Sequence, residues 1–229
     1  MRSAEQPQAP KFDHYADEYH TLHAQSITAS GESTEYFARY KLDCLHRMSL
    51  PADGPVLDYG CGIGNVTEQL VRSFTNVHAY DPSGKSLAVA RQRAPTATFY
   101  ENADALPDGK FEAIILSGVL HHVPPSERVA LMSGLRAKLA PSGRVVVFEH
   151  NPLNPLTRRV VKNCAFDDDA ILLWPWEAKR LLGAAGFRTV ALDYIVFFPH
   201  ALAKLRWLEP KLGWLLLGAQ MMIVGSGGD

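Results

Sequence analysis

Apolar residues fall into short continuous runs, separated by segments in which they recur at helical spacing. The runs predict strands at residues 56–59, 77–80, 97–101, 111–117, 144–148, 189–198 and 219–224. The intervening segments predict helices at residues 67–72, 85–93, 126–139 and 176–185. Residues 111–117 are almost all apolar, which is typical of a central parallel strand buried on both faces. The alternation predicts one α/β domain.

The segments outside this alternation predict a tail, a helical segment and two insertions. Residues 1–10 are polar and contain proline, which predicts a disordered tail, and residues 11–50 contain helical pieces with Tyr15, Tyr19 and Tyr36 among their apolar positions. Residues 150–174 predict a proline-broken loop with a short helix, and residues 199–214 predict a helical hairpin. Ser126 and the turn at residues 141–143 are expected to begin and end the helix at 126–139. We find no internal repeat, so residues 11–229 are predicted to form a single domain.

A glycine-rich turn follows the first predicted strand. Asp58 ends that strand, and Gly60, Gly62 and Gly64 lead into the next helix, so a ligand could lie against bare backbone and the first helical amides. A carboxylate at this position repels a pyrophosphate and attracts an ammonium or sulfonium group. A dinucleotide-binding fingerprint would also need glycine in place of Asn65. The turn therefore favours a ligand without phosphate.

Composition excludes several classes of protein. The 229 residues are 47% hydrophobic and carry a net charge of -1, so the chain has a globular composition and lacks the basic excess of a nucleic-acid binder. Its three cysteines form no CxxC pair, which argues against a zinc or disulfide framework. The N-terminus lacks the apolar centre of a signal peptide, and the apolar run at residues 212–224 is too short to span a bilayer. We expect a soluble, cytoplasmic protein with a small-molecule partner and no nucleic acid.

The sequence DYGCGIGN at residues 58–65 resembles the first motif of class I S-adenosylmethionine (SAM) dependent methyltransferases. The resemblance covers roughly residues 36–187. It implies a Rossmann-like α/β fold with a seven-stranded methyltransferase sheet, strand order 3-2-1-4-5-7-6, the last strand antiparallel and helices on both faces. It also implies SAM as the cofactor and an N-terminal helical lid at residues 11–50, with the insertions at 150–174 and 199–214 shaping the acceptor site. Covering the edge of the sheet is the alternative role for the N-terminal aromatic residues.

The same resemblance implies roles for individual residues. Asp81, nineteen positions after Gly62, is expected to take the ribose hydroxyls, with a helix N-cap as the alternative. Asp104 is expected to take the adenine amino group, with a solvated turn as the alternative. Lys41 is expected to meet the cofactor carboxylate, with a solvated helix face as the alternative. The predicted cofactor-binding set is Asp58, Gly60, Cys61, Gly62, Asp81, Pro82, Asn102, Ala103, Asp104, Ser117 and Lys41.

Candidate catalytic residues follow the two central strands. His121, His150 and Glu149 stand where the family brings methyl group and acceptor together, and His121 is the first candidate for a general base because the pKa of histidine suits that role. A hydrogen-bonded structural role is the alternative for the histidines, and Glu149 could instead orient one of them. Consecutive histidines do not easily chelate one ion, and residues 167–169 are typical of a solvated turn or cap, so no metal is predicted.

The sequence thus predicts a SAM-dependent methyltransferase acting on a small molecule, with oxygen preferred over nitrogen or carbon as the acceptor atom. Residues 117–120 lack the N/D-P-P-Y/F motif that the superfamily uses on nucleic-acid bases. Aromatic residues beyond position 173 suggest an apolar or aromatic acceptor or a membrane-surface one, although core packing explains them equally well. The alternatives are a SAM-binding protein without transferase activity or with another reaction such as a cyclisation, and a nicotinamide oxidoreductase, against which Asp58 and Asn65 argue. The oligomeric state is left open.

Overall fold

A computed structural model describes residues 30–164 and 167–227 of the chain. Its strands form one sheet in the order β3-β2-β1-β4-β5-β7-β6. The strands are β1 (Val56–Tyr59), β2 (Val77–Tyr80), β3 (Thr98–Tyr100), β4 (Phe111–Ser117), β5 (Leu139–His150), β6 (Arg188–Ile195) and β7 (Gln220–Ser226). The pairs from β3 through β5 are parallel, and β7 runs antiparallel to both β5 and β6. The predicted fold class and strand order are confirmed.

Residues 30–164 and 167–227 contain six α-helices and three 3₁₀ segments, as follows. The helices are α1 (Thr34–His46), α2 (Asn65–Leu70), α3 (Gly84–Arg93), α4 (Arg128–Lys138), α5 (Pro155–Lys162) and α6 (Pro175–Ala184). The 3₁₀ segments are Ala103–Ala105, Leu120–His122 and His200–Lys211. Hydroxyl caps fix two of the helix starts, because Ser33 accepts a hydrogen bond from the Tyr36 amide and Ser83 accepts one from the Ser86 amide.

The core lies on both faces of the central strands. Successive residues of a strand point to opposite faces, so Ile114 of β4 belongs to one apolar cluster and Ile115 to the other. Helices α4 and α6 pack on the first face through residues such as Met132 and Leu181, and α1 covers the second face through residues such as Leu45. Helices therefore lie on both faces of the sheet, as predicted.

Three local predictions are wrong. Helix α4 begins one residue after Glu127, which makes no side-chain cap, so Ser126 is not the cap. Strand β5 begins at Leu139 rather than at residue 144, because Leu139 pairs with Phe111, and after a register shift the ladder resumes with Arg144 opposite Ala113. Residues 199–214 form no helical hairpin, because the backbone of His200–Lys211 is a 3₁₀ run with a kink at Leu202.

The parallel strands place their carboxyl ends along one edge of the sheet, which is where α/β proteins bind their ligands. The predicted tail at residues 1–10 and the part of the lid at residues 11–29 lie outside the described residues. No helix among the described ones is long and apolar enough to cross a membrane.

Candidate active site

A cavity of about 680 Å³ opens at the carboxyl ends of β1, β2, β4 and β5. Its volume lies within the usual range for a cofactor or small-molecule site. Helix α1 forms one wall through Phe37 and Lys41, and the segment after β5 contributes Val160, Cys164 and Asp167. The cavity thus joins the glycine-rich turn to the ends of the two central strands.

The glycine-rich turn is fixed to β2 by backbone hydrogen bonds. The amides of Gly60 and Cys61 donate to the carbonyl of Tyr80 at 2.8 and 2.9 Å. Gly60 has a φ of +76°, and a Cβ at this position would lie 2.6 Å from Val119 Cγ2. The left-handed backbone and this close approach both require glycine. The turn can therefore present bare backbone to the cavity, as the sequence predicts.

Asp58 and Lys41 are buried charges at the cavity. Asp58 is 1% exposed and accepts a hydrogen bond from the Thr67 hydroxyl at 2.7 Å. Burial raises the pKa of Asp58 to about 6, against the lowering effect of the Thr67 hydrogen bond. Burial lowers the pKa of Lys41 to about 8, with Cys44, Asp58 and Glu149 opposing the shift. Because Lys41 is buried and lines the cavity, the alternative of a solvated helix face is wrong.

Asp81 links the end of β2 to the glycine-rich turn. Its Oδ2 accepts from the Gly62 amide at 2.8 Å, and its Oδ1 accepts from the Ser83 amide at 2.9 Å. The cap of α3 is Ser83, so the alternative role of Asp81 as the N-cap is wrong. Asp81 lines the cavity beside Pro82. Its ribose role stays a prediction.

The structure does not bring every predicted cofactor residue to the cavity. Cys61 and Ser117 line it, whereas Asn102, Ala103 and Asp104 do not. The latter three form a 3₁₀ turn after β3, in which the Asn102 side chain accepts from the Asp104 amide at 2.9 Å. Because the Asp104 side chain is exposed on this turn, its adenine role stays a prediction.

Four residues, His121, Glu149, His150 and Asp167, form a histidine–carboxylate cluster at the other end of the cavity. His121 Nδ1 donates to Glu149 Oε2 at 2.6 Å, and Glu149 Oε1 accepts from the Leu120 amide at 2.8 Å. His121 Nε2 lies 3.3 Å from Asp167 Oδ1, and His150 Nε2 lies 3.9 Å from Asp167 Oδ2. The predicted catalytic residues therefore share one site with Asp167.

The charges of the cluster argue against His121 as a general base. Burial alone would lower the pKa of His121, but Glu149 and Asp167 more than offset it and raise the pKa to about 10. An imidazolium ion has no lone pair with which to accept a proton. Burial, together with the His121 charge, lowers the pKa of His150 to about 4. Glu149 bonds to His121 in the orienting role that the sequence left open.

Asp167 is a site residue that sequence reasoning missed. The interpretation of residues 167–169 as a solvated turn is wrong for Asp167, whose side chain is 11% exposed and faces the histidines. The following segment turns back onto the sheet, because the Ile171 amide donates to the His121 carbonyl at 2.8 Å and Arg128 Nη2 donates to the Ile171 carbonyl. The one sequence signal was the position of Asp167 within the insertion predicted to shape the acceptor site.

Comparison with known proteins decides the family. Residues 33–192 match the family model described as a methyltransferase domain. The chain belongs to this family. The prediction of a class I SAM-dependent methyltransferase, with SAM as its cofactor, is thereby confirmed at the level of family and fold. The ends of β1, β2, β4 and β5 all lie inside the matched segment.

Relatives and solved structures agree with this assignment. The chain is 32% identical to a trans-aconitate 2-methyltransferase from Methylobacterium nodulans over 72% of this chain and 61% of the relative. It spans 65%, 61% and 54% of the lengths of three curated relatives. The crystal structure of a SAM-dependent methyltransferase from Archaeoglobus fulgidus superposes with a TM-score of 0.68 at 17% identity, covering 87% of this chain and 97% of that one. Magnesium protoporphyrin IX methyltransferase from Synechocystis, solved with bound S-adenosylhomocysteine, has a TM-score of 0.61 at 20% identity, covering 88% and 85%. These structures share the fold.

Replacing Asp81 by alanine is expected to weaken binding of S-adenosylhomocysteine by about 1 to 3 kcal/mol, the value of hydrogen bonds to a charged group. Titration calorimetry measures the change, and Asp53→Ala, which removes an exposed carboxylate outside the cavity, is the matched control. An unchanged affinity for Asp81→Ala would leave the residue with only its bonds to Gly62 and Ser83.

Proposed function

We propose that this chain transfers a methyl group from SAM to a hydroxyl oxygen of a small, partly apolar molecule. One observation carries the proposal: a single cavity extends from Asp58, Asp81 and the glycine-rich turn to the histidine–carboxylate cluster. The first region has the chemistry of a donor site. The second offers polar groups to an acceptor at the ends of the central strands.

The donor end of the cavity fits SAM better than a dinucleotide. Among the described residues that line the whole cavity, five carry carboxylates, one is the lysine Lys41, and none is arginine; Glu149 and Asp167 belong to the histidine–carboxylate cluster, which leaves three carboxylates for the rest of the cavity. This balance suits a cationic cofactor without phosphate and repels a pyrophosphate. Asp58, Asp81 and the backbone of the glycine-rich turn would hold the cofactor, with Lys41 near its carboxylate. When bound, SAM supplies a methyl group on a positively charged sulfur.

The protein's own contribution is to position the two reactants within one cavity. Phe37, Leu131 and Val160 give the cavity apolar walls, which favour an acceptor with an apolar or aromatic part. Holding both reactants in line lowers the barrier mainly through orientation. Because its carboxylate neighbours keep His121 protonated, we assign the cluster a role in holding an acceptor oxygen rather than in removing a proton. As the acceptor oxygen bonds the methyl group, the bond from sulfur to that methyl group breaks and S-adenosylhomocysteine leaves, and the hydroxyl proton passes to water at the open side of the cavity.

The charge of the cavity separates this acceptor class from that of a named relative. A trans-aconitate methyltransferase acts on an acceptor with several carboxylates, whereas the present lining already carries five carboxylates against one lysine and the protonated His121. Each added anionic group would be repelled in a partly desolvated site. We therefore propose an uncharged hydroxyl compound and not a tricarboxylate.

Incubation of the purified chain with methyl-labelled SAM and an acceptor panel tests the proposal. The panel contains phenols, aliphatic alcohols, amines and carboxylic acids including trans-aconitate, and we expect label in a hydroxyl compound. Label in an amine or a carboxylate alone would refute the acceptor assignment. No label in any compound, with S-adenosylhomocysteine binding intact, would instead favour a SAM-binding protein without transferase activity.

A further inference from the structure

We propose that the histidine–carboxylate cluster binds a divalent transition-metal ion through His121 Nε2, His150 Nε2 and the carboxylate of Asp167. The three residues come from different segments, namely the 3₁₀ turn after β4, the end of β5 and the loop after α5. They converge on the cavity between the ends of the two central strands. The ion would occupy the acceptor end of the cavity.

The spacing of the three ligands fits a shared ion. One ligand atom from each residue lies within 4.8 Å of the others, with Asp167 oxygens 3.3 Å from His121 Nε2 and 3.9 Å from His150 Nε2. Metal bonds of about 2.0 to 2.2 Å in a tetrahedral site separate neighbouring ligand atoms by about 3.3 to 3.6 Å. Small side-chain rotations would therefore close the site around an ion.

Glu149 orients His121 as a metal ligand, and an ion would displace the second proton that His121 carries on Nε2 when no ion is bound. A carboxylate can only accept, so the short bond from His121 Nδ1 places a proton on Nδ1 and directs Nε2 at Asp167. At 3.3 Å, Nε2 and the Asp167 oxygen are farther apart than the roughly 2.7 to 2.9 Å of a charge-assisted hydrogen bond. In metal sites, the ring nitrogen of a ligating histidine that does not bind the ion commonly donates a hydrogen bond to a carboxylate.

Gln220 is an independent sign of an unfilled polar site. It lies directly opposite His150 in the antiparallel pair of β5 and β7, and its side chain lines the same cavity. Its Oε1 atom is buried without a hydrogen-bond partner among the residues that the structure describes. A buried acceptor of this kind needs a donor or a cation. An ion or its bound water beside the cluster would supply one.

The reason for expecting no metal does not apply to this geometry. That expectation concerned His121 and His122, which adjoin in sequence, whereas the proposed ligands combine His121 with two residues from other segments. Two imidazoles with one carboxylate favour zinc, iron, cobalt or manganese over magnesium or calcium. Three protein ligands leave a coordination position open. We infer that the acceptor oxygen occupies this open position, and this part of the inference rests on the proposed function. Binding of the ion itself does not depend on the proposed function.

Cobalt binding to the purified full chain tests the site, after treatment with a chelator. We expect one equivalent of Co²⁺ to bind, with visible ligand-field absorption of low-coordinate cobalt and displacement by Zn²⁺. His150→Gln and Asp167→Asn should each weaken binding at least about 10-fold, and Glu149→Gln should weaken it about 10- to 100-fold through His121. Asp168→Asn is the matched control, because it removes an exposed charge in the same loop.

Circular dichroism and S-adenosylhomocysteine calorimetry on the same samples separate loss of the metal site from loss of the fold or of the cofactor site. Cobalt binding that is equal in the native chain, His150→Gln and Asp167→Asn would overturn the proposal. So would Asp168→Asn weakening it as strongly as Asp167→Asn. Either result with unchanged S-adenosylhomocysteine binding would leave the proposed function standing.

Discussion

Replacement of Gly60 by alanine is expected to weaken binding of S-adenosylhomocysteine about 100-fold. A non-glycine residue in the left-handed region costs about 1 to 2 kcal/mol. At Gly60 the new Cβ would also lie 2.6 Å from Val119 Cγ2, so the turn must move away from the end of β4. A combined cost of about 3 kcal/mol corresponds to about 100-fold in affinity. Titration calorimetry on the folded variant measures it.

Gly109 provides the control for the energetic cost of the left-handed backbone conformation alone. It has a φ of +62°, lies in a turn outside the cavity, and a Cβ there would meet nothing within 4 Å. Gly109→Ala should therefore lower the free energy of unfolding by about 1 to 2 kcal/mol and leave cofactor affinity unchanged. Affinity of Gly60→Ala within threefold of the native chain would contradict the close packing of the glycine-rich turn.

Replacement of Asp58 by asparagine is expected to stabilise the ligand-free protein and to weaken SAM binding about 100-fold. The pKa of Asp58 rises from 3.8 to about 6, mainly because of burial, so its ionisation destabilises the fold above that pH. Asparagine removes this cost and can still accept the Thr67 hydrogen bond, while burying its amide opposes the gain. We expect a net gain of about 1 to 2 kcal/mol at pH 7.

The pH dependence tests the same account of Asp58. A carboxyl group with a raised pKa favours the folded state below its unfolded pKa, and that contribution is lost as the pH rises through about 6. The advantage of Asp58→Asn in urea unfolding should therefore be largest at pH 7 and shrink toward pH 4. SAM affinity of the native chain should fall below pH 6, where Asp58 takes up a proton. Lower stability of Asp58→Asn at pH 7 would contradict this account.

The sheet could be predicted because its signals are local in sequence. The strands Val56–Tyr59, Val77–Tyr80 and Phe111–Ser117 have the predicted bounds, since apolar runs of that length bury both faces. The start of β5 could not be predicted, because Leu139 pairs with Phe111 ahead of a register shift that separates it from the regular pairing at Arg144. The 3₁₀ run His200–Lys211 also escaped prediction, since its three leucines and Trp207 fit an α-helical pattern equally well.

The two ends of the cavity also differ in how well the sequence predicted them. The glycine-rich turn, Asp58 and Asp81 lie close together in sequence and follow a strand–turn–helix pattern, so their convergence could be predicted. The histidine–carboxylate cluster depends on Asp167, which is 46 residues from His121 and reaches it only because the loop after α5 turns back. Buried electrostatics of this kind, including the high pKa of His121, follow from tertiary contacts and not from residue type.

Titration calorimetry with S-adenosylhomocysteine, NAD and NADP tests whether the cavity takes a SAM-type cofactor or a nicotinamide cofactor. The fold is shared by both classes of cofactor, but the cavity lining carries five carboxylates and one lysine, with Asp58 buried beside the glycine-rich turn. We expect one equivalent of S-adenosylhomocysteine to bind and no measurable binding of either nicotinamide cofactor. Binding of NAD or NADP in the absence of S-adenosylhomocysteine binding would contradict this expectation.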